Sequence, residues 1–360
     1  MKGIIWDGEH LTVRDGVEVR DPGPGEVLVR IANAGVCHSD VAVVEGTIPF
    51  LTPAVLGHEG AGVIERTGPE VTMVSEGDHV VLSTLGNCGA CEHCDIGRPT
   101  MCRASFGQFP KPFTYEGVEH FAFANVSSFA EYTIVKAQQA VPIPREIPLP
   151  AASLIGCGVV TGAGAVLNRA RVGVNESVVV MGVGGIGLNA IQAAALTGAH
   201  PIIALDNNPA KEKIARQFGA TEFVDASAFD SPDEVVGAVK DLTMGGAAYV
   251  FECVGAKPLM EQAIEMLAWA GTFVILGVTP FGTPIEFTPE SLYHDKTIMG
   301  CRYGSSRPQH DIRRYADLYL AGKFKLDELV TKVYPMDDVH QVIADMHAGR
   351  LARGVLEVCP

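Results

Sequence analysis

The pattern of apolar and polar residues changes near the middle of the chain. Before about Pro150, short runs with alternating apolar and polar positions are separated by Gly and Pro, which is typical of short strands. After about Val178, apolar runs alternate with segments of helical periodicity, which is typical of βαβ units and a parallel sheet. The runs of the first kind are residues 26–34, 60–67, 79–83 and 129–135.

The second pattern predicts a doubly wound parallel sheet, so the fold class is α/β with a second, irregular and mostly β domain. Gly198 and Gly219 fall where helix C-caps are expected. The tail, with a final strand GVLEV, lacks a dinucleotide motif and is expected to return to the first domain. We therefore place one domain at 1–158 and 302–360 and the other at 159–301. Helices are predicted at 186–197, 211–218, 234–243, 259–267, 311–321 and 337–348.

Composition and charge narrow the possible partners. A formal charge of −15 disfavours a nucleic-acid or anionic membrane surface, so a small-molecule partner is expected. Asp7 and Glu9 interrupt the start of the chain where an export signal needs an apolar run, which predicts a cytoplasmic protein. The longest stretch without a charged side chain, 177–205, contains glycines and changes periodicity. It therefore predicts a buried strand, turn and helix rather than a membrane span.

A glycine-rich turn, GVGGIG, follows the strand at 178–181. Gly182, Gly184 and Gly187 would allow a tight turn, close approach of a pyrophosphate, and close packing of helix on strand. Asp206 ends the next strand, 24 positions after Gly182. Its carboxylate can bond both hydroxyls of an adenosine ribose and repels a 2′-phosphate, so NAD is predicted rather than NADP. S-adenosylmethionine, FAD, or a turn without nucleotide stay open from the motif alone.

Four cysteines occur close together in CGACEHCDIGRPTMC. Four thiolates at this spacing can surround Zn²⁺ with no open position, which makes a structural site. Free thiols, two disulfides or an iron–sulfur cluster are the alternatives. The four are Cys88, Cys91, Cys94 and Cys102.

A second set of candidate metal ligands is dispersed along the chain. Cys37 lies in GVCHSD, His58 and Glu59 lie in GHEGAG, and Cys157 lies in IGCGVVTGAG. Two thiolates and one imidazole leave a fourth zinc position open for water or substrate. Spacing alone makes this site only a suggestion, because isolated Cys and His residues are often structural.

Taken together, and in their order along the chain, these motifs resemble those of the zinc-containing medium-chain dehydrogenase/reductase family, and within it those of the alcohol dehydrogenases. The catalytic zinc of alcohol dehydrogenases has a Cys₂His ligand set. The resemblance covers essentially the whole chain and includes the terminal GRLARGVLEV. It implies a GroES-like β domain, a Rossmann domain, two Zn²⁺ per chain and NAD. It also implies an enzyme that interconverts alcohols and aldehydes by hydride transfer. Residues 276–303 resemble the family's subunit-contact region, so a homodimer or homotetramer is expected.

The resemblance assigns roles at the metal sites. Cys37, His58 and Cys157 would bind the catalytic zinc, and Glu59 would be able to enter its coordination sphere. The four-thiol loop would hold the structural zinc. Ser39 would hydrogen-bond the alcohol and begin removal of its proton, although simple helix capping is the alternative for this hydroxyl.

Other residues are implied as nucleotide contacts. Thr161 resembles the position behind the nicotinamide ring, and Lys211 and Arg353 resemble cationic contacts to the ribose and pyrophosphate. Simple surface charge is the alternative for Lys211 and Arg353. The implied cofactor-binding residues are His38, Thr161, Gly182, Gly184, Gly185, Ile186, Gly187, Asp206, Lys211, Val278 and Arg353.

Two residues depart from the family pattern. His38 stands where many relatives have Arg against the pyrophosphate, and a partly charged imidazole predicts NAD⁺ affinity that weakens as pH rises past about 7. Ala42 stands where many relatives have a His that passes the alcohol proton to solvent. Proton release through water is therefore expected.

Aromatic residues are concentrated in 103–125, which by the resemblance lies near the substrate entrance. Ile48, Thr84 and Phe123 would line the pocket, and the small Thr84 and Ala124 favour medium, aromatic or terpenoid primary alcohols over ethanol. Ordinary packing is the alternative for the rings. A glutathione-adduct (formaldehyde) dehydrogenase and a catalytically silent zinc- or nucleotide-binding relative are the rival hypotheses. The aromatic residues are Phe106, Phe109, Phe113, Tyr115, Phe121 and Phe123.

Overall fold

A computed structural model describes residues 1–105 and 107–359 of the chain. They form two compact units: residues 1–158 together with the segment from Arg307 onward, and Val159–Ser306. The second unit ends at Ser306, directly before a helix that begins at Pro308. The domain boundaries given above from the sequence stay a prediction.

The first unit is mainly β structure. Its helices are α1 (His38–Val44), α2 (Glu92–Asp95), α3 (Leu149–Ser153), α10 (Pro308–Leu320) and α11 (Val339–His347). Its strands are β1 (Gly3–Trp6), β2 (Leu11–Arg14), β3 (Glu18–Val19), β4 (Glu26–Val36), β5 (Ala54–Val55), β6 (Glu59–Thr67), β7 (His79–Leu82), β8 (Phe113–Tyr115), β9 (Val118–Ala122), β10 (Tyr132–Lys136), β11 (Ala140–Pro142), β18 (Val330–Pro335) and β19 (Arg353–Glu357).

Two sheets organise these strands. Within the described residues, one has the order β2-β1-β5-β9-β8-β3, and the other β11-β7-β6-β4-β19-β18 with β10 also paired to β4. Strand β4 is central because its backbone pairs with β6, β10 and β19. Its alternate residues Val27, Val29 and Ile31 are fully buried in the larger core of this unit. The predicted strands at 26–34, 60–67 and 79–83 are confirmed with small shifts at their ends, and the one predicted from residue 129 begins later, at Tyr132.

A helical stretch links the first unit to the second. After α3, the chain continues through a π-helical turn, Ile155–Val159, then α4 (Val160–Gly164) and a second π-helical segment, Ala165–Ala170. This helical stretch was not predicted from the sequence, because its many Gly and Val residues are weak helix formers.

The second unit is a parallel sheet with helices. Every strand pairing described for it is parallel, in the order β14-β13-β12-β15-β16-β17, which is the doubly wound Rossmann order. Strand β12 is fully buried, as expected for a central strand covered on both faces. The strands are β12 (Val178–Met181), β13 (Ile202–Asp206), β14 (Glu222–Asp225), β15 (Ala247–Glu252), β16 (Leu267–Ile275) and β17 (Thr297–Gly300). The remaining helices are α5 (Gly185–Thr197), α6 (Glu212–Phe218), α7 (Pro232–Leu242), α8 (Lys257–Glu265) and α9 (Pro289–Leu292).

The α/β fold class is confirmed, as are the two glycine caps. Gly198 ends α5 with φ 78° and Gly219 ends α6 with φ 114°, the left-handed conformation that closes a helix. Across residues 1–105 and 107–359, none of the helices has both the length and the apolar character that crossing a membrane requires.

Candidate active site

Cys37 lies where β4 gives way to α1. It is the N-cap of that helix, with extended backbone angles of φ −107° and ψ 153°. The Asp40 carboxylate reaches back and accepts a hydrogen bond from the Cys37 N–H, with Oδ2 at 3.1 Å. This capping arrangement fixes the thiol at the helix start, where the helix dipole favours a thiolate.

His58 is oriented by the same carboxylate. Its Nδ1 lies 3.0 Å from Asp40 Oδ1, which also accepts the Gly57 N–H at 3.1 Å. Because Nδ1 donates to Asp40, Nε2 is left with a free lone pair for a metal. Asp40 was not predicted from the sequence, although an acid three residues after an N-cap is a usable signal.

Cys157 lies in the middle of the first π-helical turn. The preceding Gly156 packs so closely on β7 that a Cβ there would lie 2.0 Å from the Leu82 carbonyl oxygen. The turn brings Cys157 to the other ligands: one donor atom from each of Cys37, His58, Glu59 and Cys157 lies within 4.8 Å of the rest. The structure therefore brings together the four dispersed residues that were predicted from the sequence as candidate metal ligands.

Glu59 and Arg353 form a buried ion pair at this cluster. Arg353 Nη2 lies 2.8 Å from Glu59 Oε1 and 3.7 Å from Cys37 Sγ, and Glu59 Oε1 also accepts the Gly158 N–H. Among the described residues, Glu59 Oε2 has no hydrogen-bond partner. One carboxylate oxygen is thus anchored and the other is available to a cation. A pyrophosphate contact of Arg353 stays a prediction.

The charges of the cluster perturb its titration. Burial raises the pKa of Glu59 to about 7, although the charge of Arg353 opposes the shift. A shared hydrogen bond holds the pKa of Cys37 well below its usual value and that of Cys157 well above. Burial lowers the pKa of His58, but the charges of Asp40 and the two cysteines outweigh the effect of burial and raise the pKa of His58 well above its usual value.

Two sulfurs and an imidazole nitrogen, with a carboxylate nearby, are a donor set that suits Zn²⁺.

The four-thiol loop forms a second cluster around α2. Cys91 Sγ lies 3.6 Å from Cys94 Sγ, and Cys102 Sγ lies 3.7 Å from Cys88 Sγ. These separations are too long for disulfides. Zn–S bonds of about 2.3 Å in a tetrahedron require sulfurs about 3.8 Å apart, so the loop fits a structural zinc ion.

The glycine turn lies at the carboxyl end of β12. Gly182 has φ 92°, and a Cβ on Gly187 would lie 1.9 Å from the Gly182 carbonyl oxygen. A Cβ on Gly184 would meet no atom within 4 Å, so open space lies in front of this residue. Gly185 and Ile186 then begin α5, whose free N–H groups favour a phosphate.

Asp206, the last residue of β13, hydrogen-bonds to the glycine turn. Its Oδ2 accepts the Val183 N–H at 2.7 Å and lies 3.0 Å from Lys211 Nζ, and its Oδ1 accepts the Asn208 N–H. The carboxylate is buried and fixed next to the glycine turn, where a ribose would lie.

The other predicted contacts are placed as follows. Thr161 is buried in α4, and Val278 follows β16 with 55% of its surface exposed. His38 is exposed and Ser39 half-buried in the first turn of α1. The structure thus places each of them without testing its role.

Three phenylalanines lie in a row that starts at His58. The Phe123 ring meets the His58 ring edge-on at 5.6 Å, Phe50 meets Phe123 at 5.0 Å, and Phe109 meets Phe50 at 6.0 Å. Phe123 is buried and Phe109 is 48% exposed, so the row runs from the metal ligand to the surface of this unit. Phe50 was not predicted from the sequence as part of the site.

Other aromatic residues of the 103–125 segment have different surroundings. Phe113 is fully buried in a small core against which Tyr115 packs, so ordinary packing accounts for both. Phe121 packs on the larger core, and its ring lies under Lys111 Nζ. Phe106 lies outside the described residues.

A nucleotide turn on a parallel sheet, and an open Cys₂His cluster, define a zinc- and nucleotide-dependent dehydrogenase. The comparison with known families agrees. The family model described as an alcohol dehydrogenase GroES-like domain matches residues 23–145, and the model described as a zinc-binding dehydrogenase matches residues 185–321.

Individual relatives match over nearly the whole chain. S-(hydroxymethyl)glutathione dehydrogenase of Komagataella pastoris is 35% identical, covering 98% of this chain and 96% of its own. The structure of benzyl alcohol dehydrogenase from Acinetobacter calcoaceticus is similar with a TM-score of 0.92 and 34% identity, covering 99% of both chains. A zinc-binding dehydrogenase from Sinorhizobium meliloti, bound to NADP, gives a TM-score of 0.81 and 26% identity, covering 99% of this chain and 98% of its own. This chain belongs to the zinc-containing alcohol dehydrogenase family, and it is an oxidoreductase.

Proposed function

We propose that the enzyme oxidises aromatic primary alcohols of the benzyl alcohol type with NAD. The observation that supports this substrate class is the row formed by Phe123, Phe50 and Phe109, which starts at the His58 ring. Aromatic side chains favour edge-on and offset contacts with another aromatic ring, worth about 0.5–1.5 kcal/mol per pair beyond area burial. Ethanol would gain nothing from these contacts.

The charge of the neighbouring surface argues against a glutathione adduct. Phe50 also lines a groove of about 530 Å³, whose lining includes the carboxylates of Glu9 and Glu45 but, among the described residues, no Lys or Arg. Glu45 is paired with His347 at 3.0 Å. Glutathione has two carboxylates and one amino group, and among the described residues this groove offers its net negative charge no Lys or Arg partner. The names of several relatives nevertheless make S-(hydroxymethyl)glutathione the second candidate substrate.

The chain's own residues would act in a defined order. Cys37, His58 and Cys157 would hold a zinc ion, which would supply a Lewis acid that makes an alcohol hydroxyl acidic near neutral pH. Ser39, two residues after Cys37, would accept the hydroxyl proton while its own O–H proton passes to water. Water is the acceptor because Ala42 has no group that could take that proton. The Glu59 carboxylate would offset part of the positive charge at the metal position, and Arg353 would hold that carboxylate in place.

The second unit would bind the cofactor that accepts hydride. Asp206 presents a fixed carboxylate beside the glycine turn, which supports NAD over NADP. Lys211 neutralises part of that charge at 3.0 Å, so the discrimination against a 2′-phosphate should be weaker than that of an isolated carboxylate.

The substrate class is tested by a panel of alcohols on zinc-replete enzyme. We expect kcat/KM for benzyl alcohol with NAD⁺ to exceed that for ethanol by at least about tenfold, the equivalent of one ring–ring contact. Phe123→Ala should reduce this preference, whereas Phe113→Leu, a core substitution away from the row, should leave it unchanged. Equal activity with both alcohols, or a clear preference for S-(hydroxymethyl)glutathione, would contradict the proposal.

We also propose that the enzyme is a homodimer or homotetramer. Strand β17 lies at the edge of the parallel sheet, and its sequence TIMG has no charged residue that would oppose pairing with a second copy. Light scattering should give a multiple of the chain mass of 38.1 kDa, and a single-chain mass would contradict the proposal.

A further inference from the structure

One buried carboxyl group has no part in the mechanism above. Glu252 is the last residue of β15 and has no exposed surface. Among the described residues, its Oε2 has no hydrogen-bond partner. Burial raises the pKa of Glu252, although hydrogen bonds from nearby N–H groups oppose the shift. Placing such a group in the interior is costly, so its presence points to a specific role.

Four backbone N–H groups converge on Glu252. Its side-chain Oε1 accepts hydrogen bonds from Val254 at 2.9 Å and Gly255 at 2.7 Å. Its carbonyl oxygen accepts from Leu276 at 3.0 Å and Gly277 at 2.9 Å. The first pair fixes the turn after β15, and the second fixes the chain as it leaves β16. One residue therefore holds together the loops that leave two neighbouring strands.

The two loops approach each other through glycines. A Cβ on Gly277 would lie 2.0 Å from the Gly255 nitrogen and 2.6 Å from Glu252 Oε2. A Cβ on Gly255, whose φ is +89°, would lie 2.5 Å from the Val278 carbonyl oxygen. The backbones are thus in direct contact, and the carboxyl group fills the space that side chains would otherwise need.

These loops present two valines beside the glycine turn. A Cβ on Gly182 would lie only 2.5 Å from Val254 Cγ2, so Val254 packs against the first glycine of the motif. Val254 is 53% exposed and Val278 is 55% exposed. Exposed apolar side chains at the carboxyl edge of a parallel sheet are placed to contact a bound nucleotide.

We propose that Glu252 is a positioning residue for the nicotinamide cofactor. It holds the loops that carry Val254 and Val278 in place, so that the two valines form apolar walls of the nucleotide site before the nucleotide binds. Walls that are already ordered spare the cofactor the entropic cost of ordering them. The proposal rests on the use of a nicotinamide cofactor inferred above.

The test compares three variants of the zinc-loaded enzyme by NAD⁺ titration and steady-state kinetics. Glu252→Ala removes the acceptor of two loop N–H groups and should raise the Kd and KM for NAD⁺ about tenfold or more, with kcat at saturating NAD⁺ and zinc content little changed. Glu252→Gln keeps an acceptor oxygen and should stay within about threefold of wild type. Glu176→Ala is the matched control, because Glu176 likewise accepts a loop N–H, from Gly173, in the segment that precedes β12. It should leave NAD⁺ affinity unchanged.

Two outcomes would overturn the proposal while leaving the enzyme's function intact: wild-type affinity in Glu252→Ala, or equal losses in all three variants. Failure of the wild type to bind NAD⁺ would overturn the cofactor assignment as well. If Glu252→Ala does not fold, hydrogen exchange of the wild-type enzyme decides. The Val254 and Gly255 amides should be protected without cofactor, and free exchange there would contradict walls that form in advance.

Discussion

Replacing Asp40 tests whether a buried carboxylate tunes the catalytic metal site. Asp40 accepts hydrogen bonds from the Cys37 N–H, the Gly57 N–H and His58 Nδ1, all between 3.0 and 3.1 Å. In Asp40→Asn, an amide N–H₂ must replace one oxygen, so at least one of these buried donors faces another donor. Loss of such an outer carboxylate typically lowers metal affinity or activity 10–100-fold, which is about 1.4–2.7 kcal/mol.

The assay is a chelator competition that follows the two zinc ions separately. In Asp40→Asn, we expect the ion bound by Cys37, His58 and Cys157 to be removed at a chelator concentration at least about tenfold lower than in wild type, and kcat/KM to fall in parallel. The ion of the four-thiol loop should be unaffected, which also shows that the unit is folded. Asp7→Asn is the matched control, since Asp7 accepts two backbone N–H groups on the surface. If the Asp40→Asn enzyme loses both ions at wild-type chelator concentrations, Asp40 does not strengthen metal binding at Cys37, His58 and Cys157.

Two further predictions concern the second unit. Gly187→Ala should weaken NAD⁺ binding about tenfold or more, because its Cβ would lie 1.9 Å from the Gly182 carbonyl oxygen and displace the start of α5. Gly237→Ala, in α7 with no atom within 4 Å of its Cβ, should bind NAD⁺ normally, and equal affinities in a fluorescence titration would contradict the prediction. Asp206→Gly should raise the ratio of kcat/KM with NADP⁺ to that with NAD⁺ about tenfold, because the repulsion of the 2′-phosphate is removed. An unchanged ratio would show that Asp206 does not select the cofactor.

The sequence predicted those features that depend on local chemistry. The glycine turn, the helix caps at Gly198 and Gly219, and the spacing of the four-thiol loop follow from backbone conformation and ligand geometry within a few residues of each other. The dispersed ligands Cys37, His58 and Cys157 needed the family resemblance, because spacing cannot show that distant segments meet.

The features that the sequence did not predict depend on packing between distant segments. Asp40 and Phe50 become meaningful only when Gly57 and Phe123 are brought beside them. The π-helical turn around Cys157 has a composition that disfavours helix, and its glycines are explained by contacts such as that of Gly156 with Leu82. Glu252 looks like an ordinary strand residue until its contacts with the loops after β15 and β16 are known.

We have proposed that the open metal position at Cys37, His58 and Cys157 performs the chemistry. Cys157→Ala tests this proposal through its zinc content, its NAD⁺ affinity and its NAD⁺-dependent oxidation of benzyl alcohol. Cys359→Ala, a half-buried cysteine of the same unit outside both clusters, is the control. We predict that zinc in Cys157→Ala falls from about two ions per chain to about one, that oxidation falls by at least about 10³-fold, and that NAD⁺ affinity does not change. Retention of both zinc ions with wild-type oxidation would show that the chemistry does not occur at this metal position.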